Sequence, residues 1–578
     1  MKTSKRKSGR NYLDRISRAA VKAESGSKEH IKENFISKLS HISNIKLLIL
    51  EWGLLVVALI MLAITQALWF RDSYTNEVFS SGGTYTEATY GEVNSLNPLF
   101  AMSNSEKVLS RLMFATLVTV DYSGHTNVGL AETIQADENG KVWKVKLKNN
   151  LKWSDGEPIT NKDLVFTANL IKDSRTNSIY SSNLTNVTVS ESEEGEVIFT
   201  LPVAYADFMS ALNFPIIPEH IFNNIDPQAL SVNDFYNNPV TSGPFNFNAT
   251  QLTTKEDEKV FYLSANPNYY DGGPSLSSFI IHVYNTKTEI IDALNSGAVT
   301  ATAELSELDQ EKITSKQIQQ KNSSLSSGAF IFFNTASSNV KDRALRSAIR
   351  MGIDFKKVRE SAPGSLALDF PLLPSQIELN RYPEIPSYDL DTAKTKIQEL
   401  LNGEQPTLEV ATVNSGYLPN VTNTIANELK ELGFNTNVSV YEENQEFIKN
   451  ILSRRNYDIL VYEVELGAEP DLLPYYHSSQ ATGNGLNLSS YRNALVDDLL
   501  LSARGTLDKE QRIKKYESFL EYWVTGVPAI GLYRPNLTYY YNQNARTFGN
   551  NVRLVTALDR FSDISSWAVN KSIKNKTP

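Results

Sequence analysis

Between Leu408 and Tyr462 the apolar positions change period repeatedly, and the rest of the chain is best read outward from there. Leu408-Glu409-Val410-Ala411-Thr412-Val413 alternates apolar and polar residues, the pattern of a strand. After the turn residues Asn414-Ser415-Gly416, Val421, Ile425, Leu429 and Leu432 recur at helical spacing, and Gly433 stands where a helix would end. Asn435–Tyr441 is strand again, Glu443–Arg455 reads as a helix through Phe447, Ile448 and Ile451, and Tyr457–Tyr462 is a nearly continuous apolar strand. Such a βαβαβ unit predicts parallel strands with right-handed crossovers.

Open parallel sheets place ligands beyond the carboxyl ends of their strands. Here that place is Glu463 to Asp471, with carboxylates at Glu463, Glu465, Glu469 and Asp471. Four acids on a loop leaving a buried strand suit a cationic group such as an amine. A structural reading stands beside it, in which Glu469-Pro470-Asp471 opens the next helix, with Pro at its first position and acids on its dipole.

The same periodicities run through the remainder. Thr84–Tyr90 and Val142–Leu147 alternate as strands, the latter with Trp143, Val145 and Leu147 on one face. Ser105–Thr116 predicts a helix, and Thr160-Asn161-Lys162-Asp163 reads as a capping box before another. Phe279–Tyr284 and Phe330–Asn334 predict strands, with helices at Thr286–Ser296, Tyr491–Arg504 and Lys509–Val524 and a strand at Ala529–Tyr533. Trp52–Phe70, extended upstream by Leu47–Leu50, is apolar enough for a helix of roughly 20 residues that crosses a bilayer. It offers no convincing small-x-small cleavage site, which favours a retained anchor over a removed signal.

Charge supports that orientation. Residues 1–46 carry 12 Lys and Arg against 4 Asp and Glu, whereas the remainder holds 44 against 61. A basic head before an apolar span places residues 1–46 in the cytoplasm and the body outside. An acidic body has no use for nucleic acid backbones. The chain has no cysteine, which excludes disulfides, thiol nucleophiles, zinc-thiolate sites and a lipid-modified cysteine. The 6 histidines are scattered without an HExxH pair, and no G-x-S-x-G elbow, Walker loop or G-x-G-x-x-G fingerprint occurs. His477, a lone imidazole after the acidic loop, reads as a surface or capping residue. These absences weigh towards binding over catalysis.

A series of short motifs then appears in one order. It comprises Glu92–Pro98, Gly129–Glu132 with Asp137–Lys141, Leu151–Thr160, Ser242–Phe245, Asn266–Tyr270, Phe333-Asn334 with Asp342–Ala348, and Tyr388–Lys394. Together they resemble the peptide-binding receptors of ABC importers, the extracytoplasmic solute-binding proteins of family 5. The resemblance covers residues 82 to about 565. It implies an α/β, two-lobed periplasmic-binding-protein-like fold with hinge strands, here preceded by one N-terminal transmembrane helix. The expected layout is a basic head at 1–46, the span at 47–70, a tether at 71–81 and lobe one at 82–327. Lobe two follows at 328–535, then a return to lobe one at 536–568 and a frayed tail at 569–578.

The implied function is capture of a peptide between closing lobes and delivery to ABC permease and ATPase subunits, by a monomer with no cofactor, no metal and no catalytic residue. Alternatives are a ligand receptor for signalling and a tethered envelope hydrolase on the same architecture. The resemblance places Met102, Ser103 and Asn104 in the cleft, and Tyr462, Glu463, Val464 and Glu465 beside the ligand main chain, with Glu465 or Glu469 supplying charge for an amine. Members that bind peptides commonly hold the amino terminus with an aspartate four residues before the loop proline. Here Leu466 occupies that position before Pro470.

Overall fold

A computed structural model describes residues 46–575 apart from 233–234, 236–237, 253–257, 443 and 551. The basic head expected at 1–46 therefore lies outside the described residues, save for Lys46. The chain divides into two units, the described parts of 1–78 with 571–578, and 79–570.

In the first unit, Lys46–Tyr74 is one helix of 29 residues. Leu54, Leu55, Val56, Val57, Leu59, Ile60, Met61 and Leu62 are all at least half exposed, so the helix is apolar all round over that stretch. Among the described residues no helix is long and apolar enough to cross a membrane. The side chains described without a break on this one run from Leu50 to Gln66. The residues expected to form a loose tether instead continue the helix to Tyr74 and then form the strand Thr75–Ser80. That strand pairs with Asn570–Asn575, so the expected frayed tail is half of a two-stranded ribbon. Pairing supplies the backbone partners that a polar composition gave no hint of.

The second unit is built on two large sheets. Lobe one carries an eight-stranded sheet in the order Arg553–Leu554, Ile318–Leu325, Asn536–Asn542, Ala301–Thr302, Thr84–Tyr90, Ser278–Tyr284, Lys259–Ala265, Phe245–Leu252. A four-stranded antiparallel sheet, Ala131–Ala136, Val142–Leu147, Val197–Thr200 and Thr188–Glu191, belongs to the same core. Lobe two carries a six-stranded sheet in the order Leu366–Ala367, Ala529–Arg534, Ser327–Phe333, Ile459–Glu465, Thr407–Val413, Asn435–Tyr441. Its own core includes every residue from Ala329 to Phe333.

The expected βαβαβ unit is present. Thr407–Val413 pairs in parallel with Asn435–Tyr441 on one side and with Ile459–Glu465 on the other. Helix Leu418–Glu431 connects the first pair, burying Val421, Ile425 and Leu429. The second connection is less regular, a helical turn at Gln445–Phe447 followed by a π-helical turn at Ile448–Leu452.

The chain passes between the large sheets twice, at Ser326 from Ile318–Leu325 to Ser327–Phe333, and at Pro535 from Ala529–Arg534 to Asn536–Asn542. Each crossing strand is hydrogen-bonded into one sheet before the crossing and the other after it, which makes these two residues the hinge points between lobes.

The return segment is fastened to the first strand of lobe one by charge. Glu87, fully buried on Thr84–Tyr90, accepts from Arg560 Nη2 at 2.6 Å, and Arg560 is 1 % exposed. Tyr539 donates to the other Glu87 oxygen at 2.8 Å and shares a 2.7 Å hydrogen bond with Tyr85.

Candidate functional site

The strand Ile459–Glu465 reaches the first hinge at its carboxyl end. Ser327 pairs with Glu465 and Gly328 with Val464, and the Leu466 amide donates to the Ser326 carbonyl at 2.7 Å. The register with Thr407–Val413 covers Val410↔Ile459 and Ala411↔Leu460, and the strand then runs on to Glu465. The loop beyond it is clamped from several directions. Gln376 Nε2 donates to the carbonyls of Leu466, Gly467 and Glu469 at 2.6, 3.2 and 3.1 Å. The Tyr475 hydroxyl donates to the Glu465 carbonyl and the Tyr516 hydroxyl to that of Pro470. Gly467 has φ +78°, a left-handed conformation that suits glycine. A loop held this way presents its side chains at fixed positions, as a binding site requires.

The candidate residues fall as follows. Leu466 is 5 % exposed and packs in the core of lobe two, so no polar group stands where an aspartate would. Glu465 is exposed on the other side of the chain. Glu463 accepts from the Tyr533 hydroxyl at 3.2 Å, tying the acidic strand end to the second hinge strand. Tyr462 and Val464 are half-buried against the lobe-two core, Tyr462 with its ring 5.9 Å from that of Phe447. In lobe one Met102 is 53 % exposed. Ser103 caps helix Asn104–Met113, accepting from the Glu106 amide and donating to the Glu92 carbonyl, so its hydroxyl is committed to the fold. Asn104 Nδ2 donates to Glu304 at 3.3 Å, and burial raises the Glu304 carboxyl above its usual range.

The helix-opening reading of Glu469-Pro470-Asp471 gives way to a different arrangement. The next helix is Leu473–Tyr476, with Pro474 in its first turn. Asp471 accepts the Leu473 amide at 3.2 Å, and its other oxygen faces lobe one. That oxygen receives the Tyr205 hydroxyl and Arg504 Nη2, both at 3.1 Å. The Arg504 guanidinium lies 4.0 Å over the Tyr205 ring, and its carbonyl accepts the Ala206 amide at 2.8 Å. Next to them Arg512 Nη1 donates to both oxygens of Asp207 at 2.7 and 2.8 Å. Separately, the Tyr417 hydroxyl of lobe two donates to Glu307 of lobe one at 3.3 Å. Of these residues only Asp471 was a candidate from sequence. The others are separated from their partners by up to 305 positions and sit in unremarkable local patterns. His477 is a capping residue as expected, its Nδ1 accepting the Ser479 amide.

Glu469 faces this bridge. Burial, reinforced by the negative charge of Asp207 and opposed by Arg512, raises its carboxyl to about 7. A carboxyl whose pKa is higher with the lobes in contact than apart binds more protons in the contact state between those two values. Lobe contact therefore strengthens as pH falls from about 7 towards the ordinary carboxylate range, and weakens as pH rises through 7. An interlobe FRET pair titrated from pH 8 to 5 is expected to report progressive closure, and Glu469→Gln to flatten the upper part of that curve. A parent curve that opens on acidification contradicts the sign.

Three comparisons bear on this arrangement. Residues 126–485 match the family model described as bacterial extracellular solute-binding proteins, family 5 Middle. The oligopeptide-binding protein AppA of Bacillus subtilis is 24 % identical over 488 residues, 79 % of this chain and 87 % of that protein. Its structure in complex with a nonapeptide superposes with a TM-score of 0.71 at 22 % identity, covering 85 % of this chain and 100 % of that one. NikZ from Campylobacter jejuni in complex with Ni(L-His) gives 0.70 at 20 % identity, covering 84 % and 99 %.

Proposed function

Because this chain belongs to the bacterial extracellular solute-binding proteins of family 5, we propose that it captures peptides between its two lobes and delivers them to an ABC permease with its ATPase. The observation that carries the reading is the pair of hinge crossings at Ser326 and Pro535, with the clamped strand end Tyr462–Glu465 set against the first of them. Lobes joined through two short crossings can rotate about them and enclose a solute. The peptide ligand is supported by AppA, whose name and complex are those of an oligopeptide binder.

Main chain from Tyr462 to Val464 runs beside an extended ligand and Met102 lines the facing wall with Asn104, while Ser103 shapes the turn. Glu465 is the amine partner, because it stands at the strand end beside that main chain, whereas Glu469, its carboxyl raised by burial to about 7, is about half protonated near neutral pH. Leaving a buried amine without its carboxylate costs on the order of 2–5 kcal/mol.

Native mass spectrometry of the full chain with a peptide pool is the test. Bound peptide masses without product masses are expected, and their loss in Glu465→Gln. Released fragments would mean a hydrolase. Undiminished binding in both Glu465→Gln and Glu469→Gln would mean a ligand without a free amino terminus.

The helix Lys46–Tyr74, apolar on every side from Leu54 to Leu62, serves in this reading as a single-pass anchor with the body outside. Protease added to intact cells should leave only a small amino-terminal fragment, and a protected body would reverse the orientation.

A further inference from the structure

Three of the sequence motifs meet away from the interlobe bridge, around two adjoining cavities of lobe one. Gly243 comes so close to the end of helix Asn104–Met113 that a Cβ there would lie 2.5 Å from the Met113 carbonyl carbon, and its amide donates to Met113 O at 2.8 Å. Asn266 Nδ2 donates to the Gly243 carbonyl at 2.7 Å and Asn266 Oδ1 accepts the Asn268 amide at 2.9 Å, which fixes the turn that carries Tyr269 and Tyr270. Lys148 enters from the end of Val142–Leu147, its Nζ 4.5 Å over the Tyr270 ring. Arg111, in the last turn of helix Asn104–Met113, completes the wall.

The inner cavity, of about 130 Å³, is lined by Arg111, Lys148, Thr116, Tyr269, Tyr270 and Asp271 among others. The outer one, of about 290 Å³, shares Lys148 and both tyrosines and reaches Leu151-Lys152 of a third motif. Neither Arg111 nor Lys148 has a carboxylate or other acceptor among the described residues. Asp559, within electrostatic reach of Arg111, is buried and already accepts the Thr556 amide and hydroxyl at 2.7 and 3.1 Å. A guanidinium, an ammonium and two phenol hydroxyls converge there with one carboxylate, Asp271, on the wall. Arg111 also suits the negative end of its helix dipole, but that effect does not call for Lys148 or for the cavity.

We propose that the inner cavity is an anion site that takes one phosphate or carboxylate group of a small ligand between Arg111 and Lys148, with the Tyr270 hydroxyl as a further donor. A planar guanidinium matches both anions by paired hydrogen bonds, and an ammonium adds charge without fixed geometry. The outer cavity leaves room for the remainder of an ester or a larger acid. The site lies in lobe one alone, so it is independent of what the cleft binds.

The test is isothermal titration of the full chain with inorganic phosphate, glycerol 3-phosphate and acetate at matched ionic strength. Saturable binding of at least one is expected, weakened at least tenfold in Arg111→Gln and in Lys148→Gln, with circular dichroism unchanged. Preference for glycerol 3-phosphate would assign a phosphate ester such as a lipid headgroup, preference for phosphate the free ion, and preference for acetate a carboxylic acid. Titrations that are flat for all three, or identical in parent and both variants, overturn the proposal.

Discussion

Glu87→Gln is expected to lower the unfolding free energy by about 3–5 kcal/mol, a larger loss than that of any exposed charge in the chain. The substitution keeps the side chain's size and leaves Arg560 charged, 1 % exposed and without its 2.6 Å partner. Arg560 keeps its 2.6 Å hydrogen bond to the Ala557 carbonyl and its contact with the Phe561 ring, which do not replace a counter-charge. Tyr539 keeps an acceptor in the amide oxygen, so the loss isolates the ion pair. Because a buried pair is expensive to break but not expensive to replace whole, Glu87→Gln combined with Arg560→Met should recover most of the loss. Chemical denaturation of the three variants measures this. A double variant as unstable as the two single losses added together would show that the residues do not act as a pair.

That pair also shows where local sequence stops being informative. Thr84–Tyr90 was legible as a strand from its alternation, yet nothing in that pattern singles out Glu87, which the structure buries completely. Its partner comes from the return segment, 473 positions later, and no periodicity links the two. Val142–Leu147 was legible in full because one face meets a core and the other water, which is the condition that alternation records. The parallel unit from Thr407 was legible for a related reason, since its strands and its first helix are long enough to show their periods.

The site was legible only in part. The acidic stretch Glu463–Asp471 followed from the rule that ligands gather at carboxyl ends and Tyr462–Glu465 from the family resemblance, and the structure sets that strand end at a hinge. What sequence could not supply is the antiparallel pairing of Ser327–Phe333 and Ala529–Arg534, which builds the hinge beside that strand end. Helix signals around Pro470 misled because Asp471 has a partner in lobe one, and the helix starts after it instead. Tyr205, Arg504 and Arg512 lie in segments whose local patterns only mark a loop and two helices.

Breaking the bridge between lobes should act on binding and leave the stability of each lobe nearly unchanged. Asp207 and Arg512 are 12 % and 13 % exposed where the lobes meet, and their bifurcated contact exists only while they do. With the lobes apart both charges are free to hydrate, so Asp207→Asn penalises the contact state alone. Truncating one member of a buried, hydrogen-bonded charge pair costs about 2 kcal/mol or more. At about 1.4 kcal/mol per decade that is roughly a 30-fold weaker ligand. Arg512→Gln should weaken it similarly, since it removes the cation that offsets both Asp207 and Glu469 and leaves Asp207 only the field of Arg504. A ligand that binds the closed state is weakened by the lost closure energy without touching either residue. The measurement is the Kd of one peptide recovered from the bound pool, for the parent, both single variants and Asp207→Asn with Arg512→Gln. The double variant should bind better than the two losses combined. If Asp207→Asn binds as tightly as the parent, the bridge makes no contribution to closure, and the energy that holds the lobes together lies in the ligand and in contacts such as Tyr417–Glu307.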